Sequence, residues 1–174
     1  AIYDTKEEEL FLFRDRIGIK PLYYYLNGND LVFASELKAI LKVATIPRVI
    51  NKEAIAQYLH LGFIPAPNSI YQSIYKLEQG SFLRIGKKGI DHQKYWSIKS
   101  SIHTDVIENE KKALVQLSDL TMSSVQYQLK SDVPFGVFLS GGIDSSLVTA
   151  QASILSNVKV NTFSIGFDEN RYNE

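Results

Sequence analysis

The residues most able to do chemistry in this chain lie together in the segment S-G-G-I-D-S, residues 140–145. A glycine-rich turn that leads into a helix leaves backbone N–H groups unpaired at the positive end of the helix dipole, and such groups bind phosphate. The turn lacks the lysine of a Walker loop and carries Asp144 instead. A carboxylate beside phosphate needs a cation between them, and Mg²⁺ prefers one or two carboxylates plus phosphate oxygens. We therefore predict a site for Mg²⁺ and a polyphosphate, suited to chemistry at the α-phosphate with pyrophosphate leaving.

The alternative is purely structural, a Gly-Gly turn between a strand and a helix in which Asp144 only caps the helix. The flanking sequence favours binding. An apolar run, residues 133–139, precedes the turn, and apolar residues with helical spacing follow it from Ile143. The run predicts a strand that is buried on both faces of a parallel sheet.

A second strand is predicted over residues 158–167, after the helix. Strand, turn, helix and strand form a βαβ unit, which is parallel and right-handed by default. Ligands bind at the carboxyl ends of such strands. Residues 140–144 and the pair Ile165-Gly166 are therefore expected to face one crevice.

The first hundred residues predict antiparallel structure instead. Hairpin turns are predicted at residues 27–30 and 86–89, a short helix capped by Ser35, and a longer helix capped by Asn51. Residues 97–105 are polar and mark a domain boundary, and an amphipathic helix is predicted over about 106–130. We assign residues 1–98 to one domain and 99–174 to a second.

The composition excludes several classes of function. The 174 residues include 19 basic and 19 acidic side chains, which leaves no charge excess for nucleic acid or a membrane surface. No apolar run is long enough to be a transmembrane helix, and no signal peptide is present. The absence of cysteine excludes disulfides and thiolate chemistry within these residues. We expect a cytoplasmic protein.

The segment S-G-G-I-D-S-S resembles the pyrophosphate loop of the ATP pyrophosphatase family. The longer stretch V-P-F-G-V-F-L-S-G-G-I-D-S-S-L-V, residues 133–148, resembles glutamine-hydrolysing asparagine synthetases more specifically. The first half is similar to the same family in the blocks R-D-R-I-G-I-K-P-L-Y-Y (14–24) and F-A-S-E-L-K-A-I (33–40), and in G-F-I-P-A-P (62–67). The resemblance covers nearly the whole chain.

The resemblance implies two domains. The first is the later part of an α+β glutaminase, an N-terminal-nucleophile sandwich of antiparallel sheets that releases ammonia from glutamine. The second is the start of an α/β synthetase domain with a parallel sheet, which uses ATP and Mg²⁺ to adenylate the side-chain carboxylate of aspartate before ammonia displaces AMP. The resemblance also implies aspartate, glutamine and ATP as small-molecule partners, and a homodimer.

The resemblance assigns roles to matching residues. A cradle for pyrophosphate is implied for Ser140, Gly141, Gly142 and Ser145, and Asp144 is implied to hold Mg²⁺. Phe138 and Ile165 match positions that line the adenosine end, although burial in a strand explains them as well. No complete catalytic set is expected in this chain, since it lacks the nucleophilic cysteine. We expect an internal piece of a longer protein, inactive by itself.

Two alternatives to an asparagine synthetase stay open. A related amidotransferase that activates another carboxylate, of the sugar-acid or β-lactam type, is the closest alternative. A fragment without enzymatic function is the other.

The polar block Arg14, Asp15 and Arg16, with Lys20 and Glu36, is interpreted as solvated or ion-paired structure, in which Asp15 could pair with either arginine.

Overall fold

The computed structural model describes residues 1–28, 30–102 and 106–169. The chain divides into two compact units, Ala1–His103 and Thr104–Glu174. Its strands and helices, in chain order, are β1 (Ile2–Asp4), β2 (Glu9–Phe13), β3 (Tyr23–Asn27), β4 (Asp30–Ala34), α1 (Leu37–Ile40), α2 (Lys52–Leu61), β5 (Ile74–Lys76), β6 (Ser81–Gly86), β7 (Gly89–Lys94), α3 (Ile98–Ser101), α4 (Glu110–Gln128), β8 (Gly136–Phe138), α5 (Ile143–Leu155) and β9 (Asn161–Phe163).

Two antiparallel sheets build the first unit. One has the strand order β1-β2-β6-β7 and the other β4-β3-β5. Leu12 and Leu83 from the first sheet pack with Tyr24 and Leu31 from the second, so one apolar cluster joins the two sheets. The opposite face of the second sheet buries Tyr25 against Ile40 of α1 and its neighbours. An α+β unit with antiparallel sheets is what the sequence predicts for this part of the chain.

Both predicted hairpins are present. Strands β3 and β4 pair from Tyr23 opposite Ala34 to Asn27 opposite Asp30, while Asn29 in the predicted turn lies outside the described residues. Strands β6 and β7 pair up to Gly86 opposite Gly89. Local turn signals were sufficient for both, because Asn-Gly and Gly-rich dipeptides supply the positive φ angles that tight turns need.

One of the two predicted helix caps is correct. The side chain of Asn51 accepts the N–H groups of Glu53 and Ala54 at the start of α2, and this cap is confirmed. The cap at Ser35 is wrong, because α1 begins at Leu37 and its N-cap is Glu36, without a side-chain bond. A capping side chain must sit at the N-cap itself to reach the second or third amide of the helix.

The second unit contains α4, β8, α5 and β9. The two strands pair in parallel, with Gly136 opposite Asn161 and Phe138 opposite Phe163, and α5 connects them. A hydrogen bond of 2.8 Å from Gln151 Nε2 to Thr121 Oγ1 joins α5 to α4. Strand, helix and strand therefore follow one another as the sequence predicts.

The strand that was expected to be buried on both faces is exposed instead. Its extended residues are limited to Gly136–Phe138, and the side chain of Phe138 is 74% exposed. Within the described residues, β8 pairs only with β9. A pair of strands with a single helix beside it leaves most of its surface exposed to water. The apolar run is therefore not buried by further strands and helices, as the prediction assumed.

Helix α4 is shorter than the predicted 106–130. Asn109 caps it by accepting the N–H of Lys112, so the helix begins at Glu110. Along its apolar stripe Val125 is buried, whereas Leu114 and Leu117 are exposed. No helix in the described parts of the chain is long and apolar enough to cross a membrane.

Candidate functional site

The turn between β8 and α5 presents free backbone N–H groups. Gly141 has a φ of +87°, a conformation that disfavours other residues. Gly142 is the N-cap of α5 and makes no side-chain cap bond. The first N–H groups of a helix have no acceptor within the helix, so those of the first turn of α5 are directed outward at the positive end of its dipole. This arrangement can hold an anion.

Two serine hydroxyls close the turn from the side. Ser145 Oγ donates to the carbonyl of Gly142 at 3.1 Å and accepts the N–H of Ser140 at 3.3 Å. Ser140 Oγ and Ser145 Oγ lie 3.1 Å apart. The bonds connect the end of the strand to the start of the helix, so they fix the shape of the glycine turn that lies between.

Asp144 stands exposed in the first turn of α5, where the helix dipole favours a negative charge. Within the ranges that the structure describes, its carboxylate forms no salt bridge. Those ranges also contain no group of three or more His, Cys, Asp or Glu side chains that could hold a metal ion. A single carboxylate fits Mg²⁺ when phosphate oxygens supply further ligands. Asp144 is therefore suited to a Mg²⁺ ion that arrives with a nucleotide.

A cavity of about 540 Å³ opens at the carboxyl ends of β8 and β9. Four of the seven predicted binding residues line it: Phe138, Ser140, Gly141 and Ile165. The other three, Gly142, Asp144 and Ser145, belong to the cap and first turn of α5 and do not line it. The structure thus brings Ser140, Gly141 and Ile165 to one crevice at the strand ends. Gly166, which was expected to face this crevice as well, does not line it.

Four residues of this crevice were missed by the sequence analysis as binding residues: Leu139, Phe163, Ser164 and Phe167. Ser164 Oγ donates to the carbonyl of Leu139 at 2.6 Å, and Leu139 N–H donates to the carbonyl of Phe163 at 2.8 Å. These bonds hold the two strand ends together beyond the last paired residues. A usable signal was present, because Ser164 directly precedes Ile165, which was predicted to face the site.

Gly136 explains how the ring of Phe163 reaches this crevice. A Cβ atom at Gly136 would lie 2.3 Å from Phe163 Cε2 and 3.1 Å from the carbonyl oxygen of Asn161. The ring therefore occupies space that only a glycine leaves free. It lies 6.5 Å from the ring of Phe138, measured between centroids, so the two rings line the same opening.

The polar block of the first unit has a structural role. The Asp15 carboxylate accepts the N–H groups of four following residues at 2.6–3.2 Å, namely those of Ile17, Gly18, Ile19 and Lys20. The Arg14 guanidinium donates to the carbonyls of Gly18, Lys20 and Leu77. The expected ion pair between Asp15 and an arginine is absent from the described residues, because unpaired backbone groups of the 15–20 turn satisfy both side chains.

These bonds also affect the ionisation of Asp15. The N–H of Lys20 is the largest cause that holds the pKa of this carboxyl below its usual value, and the other three amides act in the same direction. Each amide stabilises the charged form of the carboxylate. The side chains of Arg14 and Asp15 therefore fix the shape of the 15–20 turn.

Two family models match the chain. The model described as glutamine amidotransferase domain matches residues 1–96, and the model described as asparagine synthase matches residues 116–174. The second match includes the whole glycine turn with Asp144, and both strands of the βαβ unit.

Curated relatives match the chain over almost its full length. It is 42% identical to the putative glutamine-hydrolyzing asparagine synthetase 2 of Methanocaldococcus jannaschii, with 100% of this chain and 34% of that protein covered. It is 34% identical to the glutamine-hydrolyzing asparagine synthetase 3 of Bacillus subtilis, with 98% and 28% covered. It is 36% identical to synthetase 1 of the same organism, with 99% and 27% covered.

The chain spans about a third or less of the length of these relatives. The amidotransferase match covers more than half of its 174 residues. The chain therefore belongs to the glutamine amidotransferase domain family, and its second part matches the asparagine synthase family.

Proposed function

We propose that the protein containing this chain is a glutamine-hydrolysing asparagine synthetase. The observation that carries the proposal is the order of the two family matches, with the glycine turn and Asp144 inside the second. The names of the relatives, which match across both parts, support the same conclusion. They do not favour the alternatives, an amidotransferase for another carboxylate or a fragment without enzymatic function.

The proposal gives each part of the chain a task. Residues 1–98 are the later part of the domain that releases ammonia from glutamine. Residues 99–174 are the first part of the domain that binds ATP. The two antiparallel sheets of the first unit and the parallel β8-β9 pair of the second are consistent with these tasks.

The chemistry requires an activated acceptor. The carboxylate of aspartate is a poor electrophile at neutral pH, so its oxygen attacks the α-phosphate of ATP and pyrophosphate leaves. Ammonia then attacks the carbonyl carbon of aspartyl-AMP, and AMP departs with the bonding electrons. Negative charge accumulates on pyrophosphate in the first step. Hydrogen-bond donors aimed at this leaving group are therefore the main contribution of this chain to catalysis.

The glycine turn supplies these donors. The outward N–H groups at the start of α5 bind the pyrophosphate oxygens, and the glycines let the backbone approach closely. Asp144 would hold Mg²⁺, and the ion would offset part of the charge that develops on the leaving group. The exposed side chains of Phe138 and Ile165 offer an apolar surface for the adenosine end of the nucleotide.

A cytoplasmic location and a homodimer complete the proposal. Both follow from the resemblance to a biosynthetic enzyme family. Size measurement of the purified whole protein tests the dimer.

The direct test is product formation with a panel of acceptors. The whole protein is supplied with ATP, Mg²⁺ and glutamine, together with aspartate, a sugar acid or a β-amino acid that could close a lactam. Amide formation and AMP release with aspartate alone are expected. Efficient turnover of another acceptor, with none of aspartate, would replace the proposal by the related amidotransferase.

A further inference from the structure

The hydroxyl group of Ser145 has no free hydrogen-bonding capacity. It donates its one proton to the carbonyl of Gly142 and accepts from the N–H of Ser140 and from Ser140 Oγ, at 3.1, 3.3 and 3.1 Å respectively. A serine hydroxyl has one donor and two acceptor sites. All three are therefore used within the turn.

The hydroxyl of Ser140 is in a different situation. Because the only proton of Ser145 goes to Gly142, the contact between the two hydroxyls must run from Ser140 Oγ to Ser145 Oγ. This proton can rotate away without opening the other two bonds of Ser145. Ser140 lines the crevice and Ser145 does not.

We infer that the two serines have separate tasks, Ser145 as a brace that positions the glycine turn and Ser140 as the hydroxyl that turns to donate to a phosphate oxygen. This inference rests on the proposed function, since it concerns the same site. The resemblance assigned both serines to the pyrophosphate cradle, whereas the hydrogen bonds separate their side chains. Ser145 contributes to the anion through its backbone N–H only.

The hydrogen bonds of Ser145 span the part of the turn around Gly141. They connect Ser140 at the strand end to Gly142 at the helix cap, on the two sides of Gly141. Gly141 has a positive φ, and no atom beyond its chain neighbours lies within 4 Å of the position that a Cβ would take. A side chain at Gly141 would therefore meet no packing partner, and the bonds of the Ser145 hydroxyl connect the residues on its two sides and keep the free N–H groups aimed at one point.

The test compares Ser145→Ala, Ser145→Thr and Ser140→Ala in the whole protein that contains this chain. The first readout, made without ligand, is the hydrogen exchange rate of the Ser140 amide and the chemical shifts of Gly141 and Gly142 by NMR. Ser145→Ala is expected to speed this exchange by about two- to tenfold, the factor that a typical net hydrogen bond contributes. Ser145→Thr keeps the hydroxyl and is expected to restore the wild-type rate and shifts, while Ser140→Ala leaves the bond from the residue-140 amide in place.

The second readout is the dissociation constant for magnesium pyrophosphate, measured by titration. Ser140→Ala is expected to weaken binding by about tenfold or more, as for the loss of a hydrogen bond to a charged group. Ser145→Ala also weakens it, but together with the change in the ligand-free turn. If Ser145→Ala weakens binding while the exchange rate and shifts of the ligand-free protein stay unchanged, Ser145 is a direct ligand and the inference is overturned.

The two proposals can fail separately. If the whole wild-type protein does not bind magnesium pyrophosphate, the phosphate site and the ligand role of Ser140 are both refuted. The exchange rates of the ligand-free protein still decide whether Ser145 is a brace. If these rates follow the expected order of the variants, the brace stands although the phosphate site does not.

Discussion

Replacement of Asp15 by alanine tests how far one exposed carboxylate organises the first unit. The carboxylate accepts four backbone N–H groups, three of them at Oδ1 and that of Lys20 at Oδ2. The backbone carbonyl of Asp15 accepts the N–H of Gly80 at 2.9 Å, so the turn is joined to the residue directly before β6. Asp15→Ala removes all the side-chain bonds and leaves the backbone bond.

The expected loss follows from comparison with helix caps. A capping side chain that satisfies one or two amides is worth about 1 kcal/mol when replaced by alanine. Four amides share this carboxylate, but it is exposed and water competes for them, so we expect a loss of about 1.5 kcal/mol. A urea m-value of about 1–3 kcal/mol/M converts this into a midpoint that is roughly 0.5–1.5 M lower.

The assay is urea unfolding followed by the fluorescence of Trp96, the only tryptophan in the sequence. The N–H of Trp96 donates to the carbonyl of Gly80, and the N–H of Gly80 donates to the carbonyl of Asp15. Only Gly80 therefore separates the fluorescent residue from the affected turn in this chain of hydrogen bonds. Asp4→Ala is a matched control, because Asp4 is also exposed, at the end of β1, and accepts two N–H groups, from Lys6 and Glu7. Equal losses for the two variants would refute the reasoning.

The pH dependence provides an independent check with Asp15→Asn. The folded state lowers the pKa of Asp15 below its usual 3.8, so the carboxylate binds protons more weakly in the folded than in the unfolded chain. Its stabilising effect is complete above about pH 4 and is lost as the pH falls through the lowered pKa. The stability difference between wild type and Asp15→Asn should therefore shrink below pH 4. A difference that is constant from pH 7 to pH 3 would contradict the assignment.

Three further predictions concern the second unit, and thermal unfolding with NMR of the variants checks each. Gly136→Ala should displace the ring of Phe163 and cost about 1–3 kcal/mol, since the new Cβ overlaps that ring; an unshifted ring would contradict this. Gly141→Ala should cost about 1–2 kcal/mol through its positive φ alone, and asparagine there should cost less than alanine. Thr121→Val should destabilise by about 1–3 kcal/mol, because it leaves the buried Gln151 amide without its hydrogen-bond partner. Gln151→Met should be nearly neutral, because Oε1 of Gln151 already lacks a hydrogen-bond partner. Equal losses for these two variants would refute the account.

Features coded by neighbouring residues were predictable from the sequence. The two hairpins and the Asn51 cap depend on residues within a few positions of each other, and all three are present. The order of strand, turn, helix and strand around Gly141 was predictable for the same reason. The roles of the predicted binding residues stay predictions, although Phe138 and Ile165 do line one crevice.

Features that depend on partners distant in the chain were not predictable. The apolar run before the turn has the composition of a buried strand, but its burial depends on neighbouring strands and helices, and here Phe138 is exposed. The periodicity of the apolar residues gave no sign that α4 would begin four residues later than predicted, directly after the capping residue Asn109. The fourfold role of Asp15 was also missed, because an acidic residue between two arginines suggests an ion pair, whereas the turn offered it closer backbone donors.

The central claim is that the glycine turn and Asp144 serve an aspartate-activating reaction. The most direct measurement is ATP–pyrophosphate exchange by the whole protein, with and without aspartate, in wild type and in Asp144→Ala. Aspartate-dependent exchange is predicted for the wild type, together with its loss in Asp144→Ala while glutamine hydrolysis continues. Undiminished exchange in Asp144→Ala, or exchange that does not depend on aspartate, would contradict the account.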